Sequence, residues 1–162
     1  MLFRSPDIEA LARQTLLHVS HAKHLPPLNV LATFQGIAAT LPDEILVKQE
    51  ILRHPLASTL LSYAEVETDP AARLSALRGL HTVLNRCLSI LKLPNLPLPF
   101  TNYIPILVES TLKIVLECWE NPPGKQVASA IPGLFKSLVP LLDSLPTQRS
   151  PTLSGKDRKS VV

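Results

Sequence analysis

The chain is expected to fold as an all-α protein, an α-solenoid fragment of about three helical hairpins. Leu alone supplies 31 of the 162 residues, and apolar side chains recur at three- and four-residue intervals along the chain. Only 5 glycines and 4% aromatic residues are present, too few for the turns and side chains of a β-sandwich or barrel. The 46% hydrophobic and 18% charged composition also excludes a disordered polar polymer, because enough apolar surface exists to offset the entropy of ordering. One domain is expected, over residues 6–156.

Each element follows from local pattern. Ile8, Leu11, Leu16 and Val19 mark a first helix, opened by Ser5-Pro6-Asp7 and ending before Pro26-Pro27. Leu28, Leu31, Phe34 and Ala38 support a second, closed by Pro42. Asp43 is expected to cap Ile45, Leu46 and the stretch to Leu52, with a break or kink at Pro55. Leu56, Leu60 and Leu61 continue the helical spacing as far as Val66. Next comes the clearest helix, with Asp69 at the N-cap and Pro70 at the first helical position, where its missing N–H costs nothing. Leu74, Leu77, Leu80, Leu84, Cys87, Leu88 and Leu91 form its apolar stripe; Ser75, Thr82 and Arg86 are expected on the solvated side.

Alternating prolines hold Leu93–Phe100 extended, so this segment is expected to be a loop between repeats. A helix from about Tyr103 to Trp119 would bury Ile104, Leu107, Val108, Leu112, Val115 and Leu116. Asn121-Pro122-Pro123-Gly124 forces a turn. The last helix would face inward with Val127, Ile131, Leu134, Phe135, Leu138 and Leu142, and would kink at Pro132 and Pro140.

Both ends carry a signature of non-native origin. Asp157-Arg158-Lys159-Ser160 can be written GAT CGG AAG AGC, the constant start of a common sequencing adapter. The reverse complement, GCTCTTCCGATC, read from its second base gives Leu2-Phe3-Arg4-Ser5. Residues 1–5 and 157–162 are therefore expected to be adapter read-through, which the source codons would test. Without Arg4, Arg158, Lys159 and Asp157 the stated 16 basic and 13 acidic side chains become 13 and 12, a net charge of +1. The basic tail then argues for no nucleic-acid footprint.

Charge and cysteine placement bound the environment. Ile104–Trp119 is interrupted by Glu109, Lys113 and Glu117, so it falls short of the roughly 20 uncharged residues of a membrane span. Asp7, Glu9 and Arg13 interrupt any apolar core of a secretory signal. Cys87 and Cys118 sit inside apolar helical patterns, as buried core residues of an intracellular protein and not as a disulfide framework. A cytoplasmic or nuclear location is expected.

No arrangement for catalysis stands out. Phosphate-binding glycine loops, nucleophile elbows and zinc-spaced cysteines do not occur, so no catalytic, cofactor-binding or metal-binding residue is expected. His18, His21 and His24 are spaced for two to share a metal, but the third drifts around the helix and no Glu or Cys completes the set. Glu65, Glu67 and Asp69 are better explained by capping and solubility than by acid–base work. Lys113, Lys125, Gln126 and Lys136 are too scattered for a nucleic-acid footprint. Arg73, Arg78 and Arg86 could meet phosphate or an acidic partner, although such a run is more often a helix's solvated face.

Two turns resemble each other. Asp69-Pro70-Ala71-Ala72-Arg73 and Asn121-Pro122-Pro123-Gly124-Lys125-Gln126 each follow a Leu-rich helix and lead into a helix with small residues in its first turns. Small residues there let paired helices approach closely, and the period is similar to that of HEAT and armadillo repeats. An ordinary helical bundle is the competing arrangement.

One stretch resembles a known family. Ile114-Val115-Leu116-Glu117-Cys118-Trp119-Glu120-Asn121-Pro122-Pro123, leading into Gln126-Val127 and Leu134-Phe135-Lys136-Ser137-Leu138, is similar to a segment of the thyroid-adenoma-associated protein (THADA) family. Arg73-Leu74-Ser75-Ala76-Leu77-Arg78-Gly79-Leu80 looks like the helix upstream of it, so the likeness spans about Asp69 to Leu145. Gly124-Lys125-Gln126 departs from the charged run often found after the family's turn. The resemblance implies a long, non-catalytic solenoid that partners an FtsJ-type methyltransferase in 2′-O-ribose methylation of the tRNA anticodon loop, with tRNA as a further contact. It marks Asp69, Pro70, Arg73, Trp119, Glu120, Asn121 and Pro122 as a structural motif and assigns no residue to either contact. The alternative is a HEAT scaffold in transport or a large kinase assembly with no RNA role; an enzyme is a third class.

Overall fold

A computed structural model describes residues 5–66 and 69–144, with the side chains of Ser5 and Pro6 outside the description. Residues 1–4 and 157–162 of the expected adapter ends, together with Glu67 and Leu145, lie outside the described residues, whereas Ser5 opens the first helix. Helices are α1 (Ser5–Ser20), α2 (Pro27–Thr40), α3 (Asp43–Leu46), α4 (Ser58–Val66), α5 (Pro70–Ile90), α6 (Leu98–Glu120) and α7 (Lys125–Ser144). A kinked segment, Leu52–Ala57, precedes α4; His54 in it is extended (φ −148°, ψ 125°) and the His54–Pro55 peptide is cis. No strand occurs among the described residues.

The helices stack as hairpins in two layers. α1 pairs with α2, α4 with α5, and α6 with α7. α2, α5 and α7 lie side by side in one layer; α1, the kinked segment with α4, and α6 form the other. This is an all-α helical-repeat architecture of three hairpins. Between the layers runs one continuous apolar core, with Leu16, Phe34, Leu56, Leu60, Leu77, Leu80 and Phe100 fully buried. Burying each such side chain is worth about 2 kcal/mol, and each hairpin depends on the next for that burial.

Several elements form as their local chemistry dictates. Asp69 is the N-cap of α5, its Oδ1 accepting the Ala71 N–H at 3.3 Å, and Pro70 occupies the first helical position. Leu74, Leu77, Leu80, Leu84 and Cys87 are buried as the spacing requires, and Leu88 and Leu91 half-buried. Cys118 is buried too, and both cysteines are free thiols.

Other expectations are corrected. α6 begins at Leu98, so Leu98–Phe100 is helix and not loop. Pro97 takes the N-cap and Pro99 the first turn, where no backbone donor is needed, and burial of Phe100 holds the turn in place. Pro42, not Asp43, is the cap residue of α3. That helix ends after one turn, where Gln49 adopts a left-handed conformation (φ 63°). Leu11, Leu28 and Leu116 are exposed and Leu112 half-buried; Leu11 and Leu28 sit at the rims of grooves between helices and not in the closed core. In α7, Leu141 is buried in place of the exposed Leu142, and Phe135 is only half-buried. Pro132 and Pro140 both lie inside α7, which is assigned as one helix from Lys125 to Ser144.

Candidate interaction surface

The expected motif residues gather at one end of the stack, where the start of α5 lies against the end of α6 and the α6–α7 turn. A Cβ on Gly124 would stand 3.6 Å from the Pro70 ring, so the two turns that resemble each other are neighbours. They are not equivalent, however. Asp69-Pro70 is the cap and first residue of α5, whereas Asn121 is the C-cap of α6, its N–H bonded to the Glu117 carbonyl, and α7 starts only at Lys125. The Ala128 N–H instead bonds to the Gly124 carbonyl. Arg73 crosses between hairpins, an Nη2 donating to the Cys118 Sγ at 3.4 Å, while its Nε is buried without a partner. Glu120, Asn121 and Pro122 are exposed.

Trp119 heads a bare apolar strip. Its ring meets Phe135 edge-on, centroids 6.0 Å apart at 77°. In α7, Gly133 and Ser137 face α5: a Cβ at 133 would lie 3.6 Å from His81, and the Ser137 hydroxyl donates to Asn85 at 2.9 Å. Phe135 and Val139, two residues on and roughly 200° around the helix, therefore face away from α5. Leu116, Trp119, Val139 and Leu142 are four of the ten large exposed hydrophobics among the described residues. Together they leave an apolar patch open on the outer side of the α6–α7 hairpin.

A groove of about 380 Å³ opens along the α2–α5–α7 layer, lined by Leu28 of α2, by Ala71, Leu74, Ser75 and Arg78 of α5, and by Gln126 and Ser129 of α7. Spacings of four and three residues place Ala71, Ser75 and Arg78 along one side of α5. No carboxylate among the described residues lines it. The Ser129 hydroxyl donates to the Gln126 carbonyl at 2.8 Å. Sequence reasoning singles out Arg78 but misses the groove, because three separate helices compose it.

The remaining candidates separate. Arg86, expected in solvent, is an anchor: its guanidinium donates to the carbonyls of Ala38 (3.0 Å) and Leu41 and to Asp43 Oδ1 at 2.7 Å. Arg73, Arg78 and Arg86 thus do three different things. His18, His21 and His24 are all exposed around a hollow of about 550 Å³ at the end of α1. The His21 Nδ1 lies 2.9 Å from the Leu17 carbonyl, and no set of three potential ligands converges among the described residues. Burial pushes the Cys87 thiol up to about 12 and the Tyr103 phenol to about 12, so both stay neutral near pH 7; Arg53 lies 5.2 Å over the Tyr103 ring. No described helix is long and apolar enough to cross a membrane.

Comparison with protein-family models, with curated proteins and with solved structures finds nothing that matches this chain. Its class, an all-α stack of helical hairpins, rests on the architecture.

Proposed function

We propose that the chain is part of a non-catalytic α-solenoid scaffold in the cytoplasm, the regulatory partner of an FtsJ-type methyltransferase acting on the tRNA anticodon loop, with tRNA as a further contact. The carrying observation is the bare strip of Leu116, Trp119, Phe135, Val139 and Leu142 beside the turn whose sequence is similar to the THADA family. A surface of this kind suits a stack that binds by extended contact. Solenoids present long curved faces that fit around RNA and a second protein together.

A second reading, a helical-repeat scaffold in transport or a kinase assembly, is favoured by one feature. The groove carries a single cation, Arg78, which suits a protein partner better than a polyanion. One pair of experiments separates the two. Affinity purification of the full-length protein is expected to recover an FtsJ-type methyltransferase, and deletion of the gene to remove ribose methylation from the anticodon loop. Unchanged methylation after deletion eliminates the tRNA role and leaves the second reading.

A further inference from the structure

We propose that the groove between α2, α5 and α7 binds an acidic segment of a protein partner, Arg78 pairing with a carboxylate while Leu28 and Leu74 receive an apolar side chain next to it. The inference rests on the scaffold reading but not on the partner's identity. Its starting point is a solvent-facing cation with no protein partner: the Arg78 guanidinium is exposed and makes no hydrogen bond or ion pair among the described residues, and no described Asp or Glu lines the groove. The first turns of α5 and α7 carry no acidic residue either. Asp69, the nearest carboxylate in sequence, caps the N-terminus of α5 at the Ala71 N–H. It lies roughly 13 Å along the helix axis from Arg78, beyond the ~8 Å screening length at physiological salt.

Leu28 is 45% exposed at the rim, and Leu74 is all but covered beneath. A cation flanked by leucines and by the hydroxyl of Ser75 matches a carboxylate next to an aliphatic side chain. It does not match a phosphodiester chain, whose binding draws on several cations, each releasing about one counterion. About 380 Å³ holds a few side chains, a size for a peptide segment and not a folded domain. The walls are helices, so the groove is rigid before binding and little ordering entropy opposes association.

Fluorescence anisotropy of the whole chain with a short labelled peptide of alternating Glu and Leu tests this. The peptide is expected to bind, and its Gln-for-Glu counterpart to bind about tenfold more weakly. Arg78→Glu is expected to weaken the Glu peptide by more than about tenfold and Leu28→Ser by about threefold. Arg78 is exposed, so circular dichroism of that variant should match the parent. Absence of peptide binding, or equal binding by parent and Arg78→Glu, overturns the proposal. So does preferential binding of a single-stranded oligouridylate that Arg78→Glu abolishes. Capture of the methyltransferase is read separately: if the parent captures it but binds no peptide, the groove assignment falls and the scaffold reading stands. Peptide binding without methyltransferase capture leaves the groove assignment standing and removes the methyltransferase as partner.

Discussion

Arg86 shows how a single side chain can knit a repeat stack. Its guanidinium reaches from α5 to the end of α2, satisfying carbonyls of Ala38 and Leu41 that the helix end leaves open, and fixes Asp43 at the start of α3. Arg86→Ala is expected to lower stability by about 2 kcal/mol, since hydrogen bonds to a charged donor are lost and carbonyls are left half-satisfied. Urea denaturation measures this, and Arg86→Lys should recover less than half, because an ammonium cannot span three acceptors as a planar fork does. Glu9 is a milder case. The Lys48 hydrogen bond at 2.8 Å, followed by Arg13, holds its carboxyl below the ordinary 4.5. Because the folded value is depressed, that contribution is present above pH 4.5 and is lost as pH falls through the folded value. Neither pairing is legible in the chain. Glu9 and Lys48 are 39 residues apart and Arg86 and Ala38 are 48 apart, and no local rule reaches so far.

α5 is the central helix, touching α2, α4 and α7, and the Leu60 side chain of α4 packs onto Gly79. A Cβ there would lie 2.7 Å from Leu60 Cδ2 and 3.3 Å from Cδ1, and Leu60 is fully buried. Overpacking costs about 1–3 kcal/mol, while alanine's helix preference returns up to about 1 kcal/mol. Gly79→Ala should therefore lose about 1 kcal/mol, and the Leu60→Ala, Gly79→Ala double variant should lose at least ~0.5 kcal/mol less than the sum of the singles. Chemical denaturation of the four proteins completes the cycle; strict additivity would refute the close approach. The start of α5 is readable because an Asp cap and a first-turn Pro act within a few residues. The start of α6 escapes the same local reading. Prolines are disfavoured in helix interiors but cost nothing in a first turn, and the burial of Phe100 marks the turn that begins there.

The stack as a unit exposes apolar surface at both ends. Ile8, Leu11, Ala12 and Ile37 line a groove of about 310 Å³ between α1 and α2, and the Trp119 strip lies on the outer side of α6 and α7. Such faces drive association. Sedimentation velocity is expected to show concentration-dependent self-association, reduced by Trp119→Glu combined with Val139→Lys, with helical content unchanged. Trp119 is the one tryptophan of the chain, so its emission should shift to the blue as the strip becomes covered. A monomer at every concentration, with red-shifted emission throughout, would contradict the assignment of this strip as a covered surface.

Helix type, the Asp69-Pro70 cap, the break at Pro55 and the burial of Cys87 and Cys118 are all legible in spacing and capping. These interactions act within one or two turns of a single helix, so the chain specifies them without reference to its neighbours. Which side of each helix finds a neighbour is another matter. The same three-and-four spacing leaves Leu116 open while Val115 beside it is buried, and it exposes Leu142 while covering Leu141. The Arg86 anchor, the contact between the two hairpin turns and the Arg78 groove exist only because hairpins distant in sequence stack side by side, and that stacking is set by packing between layers.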